Sequence, residues 1–178
     1  FVYVDGDPSV VLFEAQAEFV QWPGGSRGVY VIEGVEFDRA RRWGMIVDGA
    51  NEGGAAFFGQ SGLIVNQVSS SPAVGSAAPP SASKTASDVA DLSELTTSLT
   101  PDAGQYQISI ADAVGMGQPT VVTFATPAFC QTATCGPQVE VLSSLRLRHS
   151  GSTFIHVEVY DNPHEIEGDL SRARISPL

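Results

Sequence analysis

Lysine is all but missing from this chain: Lys84 is the single one. With the arginines it makes 9 basic residues against 20 acidic ones, a formal net charge of -11 over 178 residues. Phosphate binding draws on clustered cations that displace counterions, so this balance argues against nucleic acid and against an anionic membrane surface as partners. No local reserve of base hides behind the total, since residues 1–70 carry 9 acidic and 4 basic side chains and residues 71–178 carry 11 and 5. Long apolar runs are also lacking. Nothing approaches the ~18 to 20 residues that a membrane-spanning helix needs, so membrane contact is expected only through an anchor outside this sequence. Cysteine is scarce, with 2 in all, Cys130 and Cys135. Two thiols cannot build a disulfide framework, and as metal ligands they would need further donors. The 3 histidines, His149, His156 and His164, show no paired spacing with a cysteine or with one another. The expectation for cofactors is therefore none.

What is present is apolar material: 43% of residues are hydrophobic and 16% charged, enough to bury a core and too little charge for a disordered acidic tail. Up to residue 68 the hydrophobic period is two. Phe13, Ala15, Ala17 and Phe19 alternate with Glu14, Gln16 and Glu18, which predicts a half-buried strand. Further β-rich runs lie at Val29 to Phe37, Trp43 to Val47 and Leu63 to Val68, broken at Pro23-Gly24-Gly25 and Gly53-Gly54. Short strands at this spacing predict a small all-β sandwich over residues 1–68. Residues 69–87 then hold 7 Ser, 5 Ala and 3 Pro in 19 positions. With so little to bury they read as a linker, which we extend over 69–100, ahead of a second domain over 101–178.

In the second domain the pattern changes. Ser109 and Asp112 have capping-box spacing, which predicts a short helix over Ile110 to Val114 ending at Gly115 or Gly117. The continuous apolar run Pro119 to Ala125 predicts a strand buried on both faces. Gly136-Pro137 opens a helix carrying Val139, Leu142 and Leu145 or Arg146 on one side, and His149-Ser150-Gly151 closes it. A second buried strand runs from Phe154 to Tyr160. Strand, helix, strand makes one βαβ unit, and the fold class expected is mixed α and β.

Both cysteines fall in the connection between the first of these strands and the helix, where open α/β sheets collect ligands and reactive groups. A thiol at a helix start feels the positive end of the dipole, which favours its thiolate. Four intervening residues permit a disulfide if the turn brings the Cα atoms within ~7 Å. So short a ring would contribute only about 2 kcal/mol, little for a staple and suited to a bond that opens and closes. His156, inside its strand, reads as a hydrogen-bonded sheet histidine. His164, after the strand, is the histidine placed to approach the cysteine loop.

These residues carry a resemblance. PTVVTFATPAFCQTATCGP, then a helix and FIHVEVYDNP, resembles the first βαβ unit of a thioredoxin-like domain. It is similar, more closely, to thioredoxin-domain proteins of bacterial envelopes that carry a Cys-x4-Cys loop after an extracytoplasmic sandwich and a Pro/Ser/Ala linker. GVYVIEGVEFDRARRWGMIV resembles the small sandwiches of the FixH-like kind. The thioredoxin resemblance covers about Gln105 to Pro163, which leaves the second half of that fold absent from the chain. It implies a redox pair at Cys130 and Cys135, with Gly136-Pro137 as the turn that starts the active-site helix. The function expected is thiol–disulfide exchange with protein thiols or disulfides, in the bacterial cell envelope. Cys130 is expected to attack, as the first cysteine after the strand, with Cys135 its rival on dipole grounds. The alternatives are a Sco-like Cu(I) metallochaperone using both thiolates and a histidine, and a non-catalytic protein-interaction module. A third is a peroxiredoxin-like peroxidase reading Thr132-Ala133-Thr134-Cys135 as its Thr-x-x-Cys.

Overall fold

The computed structural model describes residues 1–22, 28–51, 53–130 and 135–177. They fall into two units, Phe1–Ser76 and Ala77–Leu178, each with its own core, and helix and strand both contribute to the chain.

The first unit is built from strands. Four of them, β1 (Val2–Val4), β2 (Asp7–Phe13), β5 (Arg41–Ala50) and β6 (Ala56–Val65), form an antiparallel sheet in the order β2-β1-β5-β6. The other two, β3 (Glu18–Gln21) and β4 (Gly28–Val31), pair as a separate antiparallel ladder. Pro8 cannot donate to a ladder, and it lies on β2, an edge strand where no donor is needed. Val2, Tyr3 and Trp43 are buried, and Tyr3 lies opposite Gly44 in the β1–β5 register. The Gly53-Gly54 break is where β5 turns into β6: Gly54 has φ of 77° and donates its N–H to the Asn51 carbonyl at 2.8 Å.

The expected strand from Phe13 to Phe19 is a correction. Residues 14–17 carry no strand and separate β2 from β3. Alanine has low strand propensity and little surface to bury, so Ala15 and Ala17 cannot hold the alternation that their spacing suggests. The Pro23-Gly24-Gly25 break lies outside the described residues.

The second unit is organised by a parallel pair, β7 (Thr120–Ala125) and β8 (Thr153–Glu158), joined through α2 (Cys135–Arg148). A short helix, α1 (Ile110–Gly115), packs Ile110 and Ala113 against Ile155 and Val157, with Val122 beside them. Its start is capped as expected, the Ser109 hydroxyl accepting from the Asp112 N–H at 3.1 Å. Helix α2 packs on both strands and buries Val139 and Leu142. A third helix, α3 (Pro163–Ile166), follows β8. Beyond it the chain returns, and Ser176 donates its N–H to the Val159 carbonyl at 2.9 Å.

Two expectations change here. Strand β7 is not buried on both faces, because Val121 and Phe124 are 42% and 58% exposed. The reason is the sheet, in which β8 is the only strand paired with β7 among the described residues. The linker expected over 69–100 is also cut short, since from Ala77 onward the chain belongs to the second unit. Its small polar residues satisfy the free N–H groups at a helix start rather than remaining solvated. Ile110 donates to the Ser83 hydroxyl and Ala111 to the Ser81 carbonyl, both at 2.9 Å. Leu95 and Thr96 are buried, and Lys84 pairs with Asp161 at 2.6 Å.

Candidate functional site

The connection from β7 to α2 begins as a tight turn. Thr126 places its carbonyl to accept from the N–H groups of Phe129 and Cys130, at 3.2 and 3.0 Å. Pro127, between them, has no N–H to satisfy. The turn delivers Cys130 to Cys135, and the two are joined as a disulfide with Cα atoms 6.0 Å apart. Both cysteines are partly exposed.

The two sulfurs sit in unlike surroundings. Cys135 stands at the N-terminal end of α2 (Cys135–Arg148), the end of a helix whose dipole favours negative charge. The N–H of Cys130 is already engaged with the Thr126 carbonyl.

Behind the turn before Cys130 come Glu158, Thr97 and His156, of which local sequence patterns pick out only His156. Glu158, the last residue of β8, is only 5% exposed. Its Oε2 accepts from both the N–H and the hydroxyl of Thr97 at 2.9 Å, and its Oε1 from the Val159 N–H at 3.1 Å. Thr97 in turn accepts the Ala128 N–H on its hydroxyl oxygen at 3.0 Å, two residues before Cys130. Next to Glu158 on the same face of β8, His156 is 2% exposed. Its Nε2 lies 3.1 Å from the Ala125 carbonyl, which can only accept, so Nε2 carries the proton. Nδ1 then accepts the Tyr106 hydroxyl at 2.6 Å. Burial holds His156 below the usual histidine range, against the raising effects of the Ala125 carbonyl and Glu158. Burial likewise pushes the Tyr106 hydroxyl up to about 12.

Tyr106, His156, Glu158 and Tyr160 line a cleft of about 30 Å³, room for a water or two. Tyr160 also meets the Phe129 ring edge to face, 6.1 Å between centroids, so this cleft adjoins the cysteine loop.

His156 is the hydrogen-bonded sheet histidine expected from its strand position. His164 sits on α3 with its Nε2 4.0 Å from a Glu165 carboxylate oxygen. Among the described residues no group of three or more His, Cys, Asp and Glu side chains is placed to hold a metal ion. The Cu(I) set of two sulfurs and His164 is thus not assembled. Thr132, on which the peroxidase alternative depends, lies outside the described residues. Thr97 lies within 69–100, where composition reads as linker and gives no sign of its bond to Glu158. Glu158 is legible only as an acid in an apolar strand, a position that calls for partners because charges are rarely buried without them.

No known protein family, curated protein or solved structure matches this chain.

Proposed function

We propose that the second unit is a thioredoxin-like thiol–disulfide exchange module of the bacterial envelope, preceded by a small β-sandwich, and that it acts on protein thiols or disulfides through Cys130 and Cys135. The observation that carries this reading is the disulfide itself, closed between a strand-end turn and the first residue of a helix. Helix-start placement supports Cys135 as the attacking sulfur, with Cys130 resolving, the reverse of the order expected from position after the strand. In the reducing direction the Cys135 thiolate attacks one sulfur of a partner disulfide. A Cys135–partner bond forms, the partner's S–S bond breaks, and the displaced partner thiolate takes a proton from solvent. Cys130, as thiolate, then attacks Cys135 and releases the second partner sulfur. The partner disulfide is reduced to two thiols and the Cys130–Cys135 pair is oxidised.

The test is alkylation and mass spectrometry across a glutathione series, on the wild type and on Cys130→Ser and Cys135→Ser. Exchange predicts a reversible transition in the wild type. Cys130→Ser should trap a mixed disulfide at Cys135, and trapping only in Cys135→Ser would restore Cys130 as attacker. A bond that stays closed in excess reductant would remove the exchange reading.

A further inference from the structure

A resolving sulfur works only if it is already held near the bond it must attack, because positioning lowers the barrier that free chain would have to cross. Cys135 is placed by α2. Cys130 belongs to a turn, and the question is what fixes the turn. Two of its N–H groups, those of Phe129 and Cys130, are held locally by the Thr126 carbonyl. The third, on Ala128, goes to a residue 31 positions away in sequence, Thr97. That hydroxyl has a single proton, and its donation to Glu158 Oε2 at 2.9 Å turns a lone pair toward Ala128. The Thr97 N–H bonds the same oxygen at 2.9 Å, so threonine is gripped at two points. Glu158 is 5% exposed and, among the described residues, forms no ion pair within 4.0 Å; its bonded neighbours are these donors and the Val159 N–H. A hydroxyl that donates to a buried carboxyl oxygen is polarised by it, which strengthens the onward bond that the same hydroxyl oxygen accepts from Ala128.

We infer that Thr97 and Glu158 are positioning residues for Cys130: a relay from the end of β8, through one hydroxyl, to the turn that carries the resolving sulfur. This inference rests on the exchange reading above. In the reduced protein the relay keeps the turn in the shape it has when the ring is closed. Without it Ala128, which is exposed, gives its N–H to water, the turn gains conformational freedom, and that freedom must be lost again on closure. The step concerned is attack of the Cys130 thiolate on a Cys135–glutathione mixed disulfide. The Cys130–Cys135 bond forms, the Cys135–glutathione bond breaks, and the glutathione thiolate leaves and takes a proton from solvent.

The experiment is a glutathione titration of the full chain with acid quenching, alkylation and mass spectrometry. It compares the wild type with Thr97→Val, which keeps the volume and removes the hydroxyl, Thr97→Ser, which restores it, and Glu158→Gln. Loss of one such bond predicts ring closure about fivefold less favourable in Thr97→Val, with accumulation of the mixed disulfide at Cys135. Thr97→Ser should return the wild-type equilibrium, and Glu158→Gln should shift it in the same direction as valine. A merely structural role would lower thermal stability without moving the closure equilibrium or being rescued in it by serine. Should Thr97→Val fail to fold, Glu158→Gln against Thr97→Ser decides. Closure as favourable in the folded variants as in the wild type overturns the relay and leaves exchange standing. A wild-type pair that ignores glutathione removes both.

Discussion

Acidification should weaken the second unit and leave the first untouched, and one residue accounts for the difference. In the fold His156 is 2% exposed and held below its ordinary value of 6.5, chiefly by burial. Unfolding returns it to that value, so below about pH 6.5 the unfolded chain binds more protons than the folded one, and stability falls as pH falls. The contribution is present above the unfolded value and is lost on descending toward the depressed folded one. Linkage caps the loss on going from pH 8 to about pH 5.5 at about 1.4 kcal/mol, the limit reached by an imidazole that stays neutral throughout, so the change in the folding equilibrium is tenfold at most. The carboxylates that the fold holds low, Asp102 and Glu165 among them, have ordinary values of 3.8 and 4.5 and remain ionised in both states over that range. His149 and His164 are exposed.

The assay exploits how the residues are distributed. Both tryptophans, Trp22 and Trp43, lie in the first unit, all three histidines lie in the second, and so, among the described residues, do α1, α2 and α3. Urea unfolding followed by tryptophan fluorescence therefore reports the first unit, and far-ultraviolet circular dichroism reports the helices of the second. The helical transition should move to lower urea on acidification, and the fluorescence transition should not. His156→Gln keeps one donor and one acceptor without a titrating group, and should abolish the shift. An unmoved helical transition, or an equal shift in His156→Gln, would refute the reasoning.

Two further outcomes follow from close approaches. A Cβ on Gly44 would overlap the Tyr3 ring, which lies across it in the β1–β5 register and holds Gln60 through its hydroxyl at 2.6 Å. Gly44→Ala should therefore cost about 1 to 3 kcal/mol of first-unit stability in the fluorescence-monitored transition, with the second unit unchanged. A Cβ on Gly104 would overlap the Arg146 guanidinium, which binds Asp102 through two bonds of 2.8 Å. Gly104→Ala should destabilise the second unit by about 1 kcal/mol and add almost nothing in an Asp102→Ala background, since the ion pair it disturbs is already gone.

What the sequence displays well is local. The Ser109 cap, the glycine break between β5 and β6, and the strand–helix–strand order around the cysteines depend on neighbouring residues, and each has its counterpart in the structure. What it displays poorly is set by distant partners. Val121 and Phe124 look like core because a continuous apolar run is the usual mark of a strand covered on both faces, yet coverage depends on how many strands join the sheet. The serines at 81 and 83 look like linker because composition does not show that a helix start 27 residues on from Ser83 requires acceptors. The same blindness hides Thr97, whose partners Ala128 and Glu158 are 31 and 61 residues away.

That division also runs through the site. The cysteines are legible as a pair, since spacing and the glycine-proline helix start are written side by side. The surroundings that make them unequal are not. One cysteine stands at the start of a helix, and the turn before the other is bonded to the Thr97 hydroxyl and through it to a buried carboxyl group. A ring spanning 5 positions contributes only about 2 kcal/mol by constraining the unfolded chain, too little to explain a buried acid, which costs stability unless fully hydrogen-bonded. Glu158 has those bonds, and one of them comes from the Thr97 hydroxyl, which in turn accepts the Ala128 N–H of the turn before Cys130. A fold that needed only a staple would gain more from an apolar side chain at that position. The relay we infer gives the acid a role there, since it would hold the separation of the two sulfurs while the bond between them is open.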